Sequence, residues 1–180
     1  KRRRQSRLYR ISVAASLLVA FYLDSFLFAR FHLFGIRPDC LLALLVSLGV
    51  LLGQSDGLIL GLVAGLLSDV LFGRAVGLGA VAYMLAGVAG GFFYKKFYAD
   101  NIVIPAATAA VCAFGKEHLM AVSVRLLGGT FSYFEMFFTY ILPCTLATGL
   151  FCALTHLLMK PTLQRQIRKH YERHAGGGIR

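Results

Sequence analysis

The sequence predicts an all-α integral membrane protein: a six-transmembrane-helix bundle with both termini in the cytoplasm. Three observations carry that prediction. First, 58% of the 180 residues are hydrophobic even before the 19 glycines are counted, against about 45–50% apolar residues, glycine included, in soluble domains. Second, the apolar residues fall into six runs separated by short polar or glycine-rich turns. Third, the net charge of +11 is confined to the two ends. Intrinsic disorder is excluded by the apolar content. A nucleic-acid-binding domain would spread its bases over a folded face, so no nucleic-acid partner is expected.

A spanning helix needs roughly 20 mostly apolar residues. Ile11–Ala29 is the first such run. It is read as a span rather than a cleavable signal, because no small-residue cleavage site precedes a soluble domain. Cys40–Gly53 and Leu58–Phe72 follow, both short, with Gln54-Ser55-Asp56 as a polar turn between them and Asp56 as the expected N-cap of the third helix. At this length they are expected to be thin or mismatched spans, or to form one hairpin that does not fully cross. Leu78–Phe93 is the fourth run, after a glycine-rich turn at Gly73–Gly77; Ile102–Leu127 is the fifth and Met136–Met159 the sixth. The chain thus divides into a basic tail (1–10), a transmembrane domain (11–159) and a second basic tail (160–180).

Charge sets the orientation. Residues 1–10 carry Lys1, Arg2, Arg3, Arg4, Arg7 and Arg10, and residues 160–180 carry Lys160, Arg165, Arg168, Lys169, Arg173 and Arg180 against Glu172. With the N-terminus inside, the cytoplasmic side holds 14 bases, including Lys95 and Lys96, and the opposite side holds four, Arg30, Arg37, Arg74 and Arg125. That asymmetry obeys the positive-inside rule. An even number of spans also returns the C-terminus to the cytoplasm. Both tails are expected to meet anionic lipid, with an acidic cytoplasmic partner as the other use. Aromatic belts are expected at Phe92, Phe93, Tyr94, Phe97 and Tyr98 inside, and at Phe131, Tyr133, Phe134, Phe137, Phe138 and Tyr140 outside.

The most informative stretch is Gly57–Gly77. Gly57, Gly61, Gly65, Asp69, Gly73 and Gly77 recur at every fourth position, which keeps them on one helix face. Such a smooth stripe lets a neighbouring backbone approach closely, either within the bundle or in a groove for a partner's helix. A carboxylate in a span must be paired or hydrated. Asp69 therefore caps loop amides after Phe72, pairs with Arg74, or marks a proton or substrate site. Lys116-Glu117-His118 falls in the middle of the fifth run. The three residues point about 100° apart, so they form no single site alone. Asp24 in the first run is a possible partner for Lys116; a ligand or proton site and a partner contact are the alternatives.

Signatures of catalysis are absent: the chain has no GxSxG, no HExxH and no GxGD aspartate pair. His156 is a lone histidine, read as packed. Cys40, Cys112, Cys144 and Cys152 show neither CxxC nor metal spacing and lie in apolar runs, as small buried hydrophobes do. No enzymatic activity, cofactor or metal is expected.

Arg37-Pro38-Asp39 opens the second run, the Gly57/Gly61/Gly65/Asp69/Gly73 series follows, and Gly77-Leu78-Gly79-Ala80 leads into the fourth run. This combination resembles the MreD family of rod shape-determining proteins. The match is good from Arg37 to about Phe93; beyond that it rests on hydropathy. The glycine–aspartate series also resembles the S-components of energy-coupling-factor transporters, a family related in fold, which bind vitamins or other small molecules. The Arg-Pro-Asp start and the basic tails favour MreD. That resemblance implies a non-enzymatic subunit of the bacterial inner membrane within the rod complex, or elongasome, supporting cell shape and peptidoglycan elongation. It implies direct binding of MreC, and a more distant link to MreB, RodA and its class B penicillin-binding transpeptidase.

Overall fold

The computed structural model describes residues 13–27, 38–72, 77–94, 101–130 and 132–175. Every regular element among these is helical. Helix α1 covers residues 13–22 and runs into a π-helical turn, Leu23–Leu27. Helix α2 is Cys40–Leu52, α3 is Gln54–Phe72, α4 is Leu78–Phe92 and α5 is Val103–Leu126. Helix α6 opens at Tyr133–Met136, widens into a π-helical turn at Phe137–Ile141 and continues through Leu142–Ala175. Two of the described helices hold stretches long and apolar enough to cross a membrane, Gln54–Leu71 and Tyr133–Met159.

The centre of the bundle is α2. Its 13 residues contain a single polar side chain, Ser47, and 11 of them are buried. A helix that is apolar all round has no face to offer water and belongs inside. At about 20 Å it is shorter than the roughly 30 Å hydrocarbon core of a bilayer. It touches α3, α4, α5, α6 and the π-helical turn after α1, so it is the core element of the bundle.

The link between α2 and α3 is one residue. Gly53 has φ 108°, a conformation that L side chains rarely adopt, and reverses the chain there. Gln54-Ser55-Asp56 is consequently not a turn but the first turn of α3, and Asp56 is an exposed residue inside that turn rather than its cap. The acid still suits the positive end of the helix dipole.

Helices α3 and α4 form an antiparallel hairpin sealed by the glycine stripe. A Cβ at Gly57 would collide with the Gly87 carbonyl, one at Gly61 with the Tyr83 carbonyl, and one at Gly65 would come within 2.5 Å of the Ala80 Cα. Gly49 of α2 faces Gly87 and Gly91 in the same way. Three backbones therefore meet where three helices lack side chains, as close packing in a lipid phase requires. The opposite face of α3 is apolar and exposed at Ile59, Val63, Leu66 and Val70.

Helix α6 lies parallel to α2 in a constant register. Thr148 Oγ1 accepts from Asp39 N at 3.0 Å, Cys152 Sγ donates to the Ala43 carbonyl at 3.3 Å, and Ser47 Oγ meets His156 Nδ1 at 3.0 Å. Each pair is 109 residues apart, and the steps of four keep one face against one face. His156 is thus packed, as expected. The π-helical turn at Phe137–Ile141 precedes Pro143, which has no N–H to offer the Thr139 carbonyl, so the helix widens there. The apolar stretch of α6 ends at Met159, where the sixth span was expected to end, and the backbone stays helical to Ala175. Residues 160–175, expected as a tail, contain no glycine and continue α6.

Candidate functional site

Asp24, Asp39, Lys116 and Glu117 gather around the N-terminus of α2. A helix start leaves four amides without intrahelical partners, and here these amides are inside the protein. Asp24, on the π-helical turn after α1, accepts from Cys40 N and from Leu41 N, each at 2.8 Å. Asp39 is the N-cap and accepts from Leu42 N at 2.8 Å. The Ala43 amide bonds the Asp39 carbonyl at 3.1 Å. Two carboxylates from two elements close the helix end, and their negative charge complements its dipole.

Asp39 is also the hub of the charge network. Lys116 Nζ, from the middle of α5, donates to Asp39 Oδ2. The Tyr83 hydroxyl of α4 donates to the same carboxylate at 3.1 and 3.3 Å. Lys116 Nζ also donates to the Tyr83 hydroxyl at 3.3 Å and lies 5.0 Å from that ring's centroid, close enough for a cation–π contribution. Asp39 is 8% and Lys116 15% exposed, so the pair is largely removed from solvent. Glu117 stands 3.9 Å from Lys116, an ion-pair contact beyond hydrogen-bond length. α1, α2, α4, α5 and α6 are thereby tied together at one level of the bundle.

Among the residues singled out in the sequence, Asp24, Asp39, Lys116 and Glu117 come together. The expected pairing of Lys116 with Asp24 is corrected: the ammonium donates to Asp39, while Asp24 holds the Cys40 and Leu41 amides. His118 points elsewhere, as consecutive helical residues do. It bonds the Phe114 carbonyl at 3.0 Å and sits among the rings of Phe114, Tyr133 and Phe137. Asp69 caps amides beyond Phe72, accepting from Gly77 N at 2.8 Å and Ala80 N at 2.9 Å. This fixes the start of α4, where Gly77 has φ 109° and a Cβ on Gly79 would strike the Asp69 carboxylate. Gly57, Gly61 and Gly65 are consumed by α4 within the chain, so their face is not open to a partner. Pro38 directly precedes the N-cap. Arg37, Gly73 and Arg74 lie outside the described residues, as do Lys95, Lys96, Phe97, Tyr98 and Phe131.

Tyr83 and Thr148 were not foreseen in the sequence. Tyr83 lies six residues after the Gly77 turn, with nothing local to show that its hydroxyl reaches another helix. The four cysteines are free thiols, three of them buried. The arrangement can hold helices in register and neutralise buried charge: each oxygen of Asp24 and Asp39 is occupied by a donor of the chain itself. A fully satisfied buried polar network rigidifies a fold.

Among the described residues, a helical bundle with apolar outer faces, a glycine-sealed hairpin and a buried charge network defines a helical membrane protein. More narrowly, the chain belongs to the MreD family: the family model described as rod shape-determining protein MreD matches residues 5–161. No curated protein and no solved structure matches the chain.

Proposed function

We propose that this chain is a non-enzymatic, multi-pass subunit of the rod complex in the bacterial inner membrane, with both termini in the cytoplasm. It binds MreC directly and supports cell shape and peptidoglycan elongation. MreB, RodA and the class B transpeptidase are reached through the complex. The single observation that carries this reading is the family match over residues 5–161. Two features support it. The buried charges are spent on holding helices together, and the basic residues 1–10 suit anionic lipid at the cytoplasmic surface.

The test is co-purification of the full chain with MreC from membranes in mild detergent, with mass spectrometry of the extract. The expected result is MreC in stable association and no stoichiometric small molecule. Normal levels of the chain without MreC, or a tightly bound vitamin, would overturn the proposal and favour a ligand-binding component.

A further inference from the structure

Among the described residues, three carboxylates, Asp24, Asp39 and Glu117, share one level of the bundle with a single ammonium, Lys116. Two of the three are well provided with donors. Asp24 accepts two amides at the start of α2, where the helix dipole also favours an anion. Asp39 accepts from the Leu42 amide, the Tyr83 hydroxyl and the Lys116 ammonium. Hydrogen bonds of this kind hold a carboxylate in its charged form.

Glu117 has no such support. Among the described residues nothing donates a hydrogen bond to its carboxyl, and Lys116 stands 3.9 Å away, too far for one. That ammonium is already answered by Asp39, so Glu117 meets a closed ion pair and not a free cation. The other groups around it offer no anchor: the Tyr83 hydroxyl of α4 turns to Asp39, Asp24 is a further anion beyond the pair, and the neighbouring His118 bonds the Phe114 carbonyl. Along α5, Glu117 lies about 21 Å from Val103 and about 14 Å from Leu126, and it is only 15% exposed. A carboxylate left without donors in the interior of a span takes up a proton in preference to keeping its charge.

We infer that Glu117 is a proton-binding site within α5, held as the neutral carboxylic acid in the folded protein at neutral pH. With the proton in place, Lys116 has one anionic partner and the contact between α5 and α2 is undivided. Release of the proton sets a second anion beside the same ammonium, in competition with Asp39. Proton occupancy of Glu117 thus governs how firmly Lys116 ties α5 to the cap of α2. The inference does not depend on the partners proposed above.

Infrared spectroscopy of the full chain in phosphatidylcholine vesicles at neutral pH is the first test. The unmodified chain should show the carbonyl stretch of a protonated carboxylic acid, shifted in heavy water, lost in E117Q and moved in E117D. No such band, or a band unchanged in E117Q, overturns the inference. The second test uses dicyclohexylcarbodiimide, a lipid-soluble reagent for protonated carboxyls. The carboxyl proton passes to a carbodiimide nitrogen, the carboxyl oxygen bonds the central carbon, and acyl transfer to nitrogen leaves a stable N-acylurea with nothing released. The peptide holding Glu117 should gain the whole mass of the reagent, and the labelled fraction should fall as the pH rises. Labelling confined to other carboxyls, or none, overturns it. Finally, raising the pH should lower the melting temperature of the unmodified chain more than that of E117Q, which has no such proton to lose. An equal pH dependence in the two overturns the link between Glu117 and the stability of the bundle.

Discussion

Lys116 donates its ammonium proton to Asp39, a residue 77 positions earlier in the chain and the N-cap of the buried central helix. The pair joins the middle of α5 to the start of α2, and the Tyr83 hydroxyl bonds both partners. An ion pair so placed cannot be explained by surface electrostatics. Breaking it on one side leaves the other charge buried and alone, which costs about 3–5 kcal/mol.

The first prediction follows from that asymmetry. Lys116→Met should lower the thermal stability of the detergent-solubilised protein strongly. Lys116→Met combined with Asp39→Asn should recover part of the loss, since the amide still caps Leu42 and carries no charge. Thermal melts of the two single variants and the double variant give the coupling, expected above about 1 kcal/mol for residues in direct contact. Additive effects would show that the pair is not formed.

Asp24 should act as a cap and not as a counter-ion. Asp24→Ala strands two buried amides, at about 1–3 kcal/mol for an unsatisfied group, whereas Asp24→Asn keeps one acceptor. Stability should therefore fall in the order wild type, Asn, Ala. If Asp24 were instead the partner of Lys116, Asn and Ala would be equally harmful in the wild type, and both harmless beside Lys116→Met.

The glycines should divide by contact and not by sequence. Gly61→Ala places a methyl group against the Tyr83 carbonyl, while nothing lies within 4 Å of a Cβ at Gly115 in α5. Gly61→Ala should lower the melting temperature. Gly115→Ala should leave it unchanged or raise it, by up to the roughly 1 kcal/mol that alanine gains over glycine in a helix. Gly61→Leu should reduce folded protein before it affects assembly with any partner, so a lost complex in that variant must be read against protein level.

The sequence made the helices legible because each centres on an apolar run set off by glycine or polar residues. Close backbone approach along Gly57, Gly61 and Gly65 was legible too, from the four-residue repeat, but not that α4 is the helix that takes the stripe. The cap was one of three roles the sequence left open for Asp69, and it is the one the Gly77 and Ala80 amides take up. The centre was harder to read. A 13-residue apolar run does not show that it lies at the centre of the bundle until its burial on all sides is seen. The choice of Asp39 over Asp24 as the partner of Lys116 depends on where the start of α2 meets the middle of α5, which no local sequence signal gives. The α2–α6 register rests on Ala43, Ser47, Thr148, Cys152 and His156, ordinary residues that mean nothing until two distant helices lie side by side.

The most direct measurement is cell width and length in bacteria depleted of their own MreD-family protein and supplied with this chain or its variants. The unmodified chain should restore rods. Lys116→Met at matched membrane level should restore them poorly, and the Lys116→Met/Asp39→Asn pair should do better. Round cells with the unmodified chain would contradict the assignment to rod-shape control. Full rescue by Lys116→Met would contradict the view that the Lys116–Asp39 network is what holds the working bundle together.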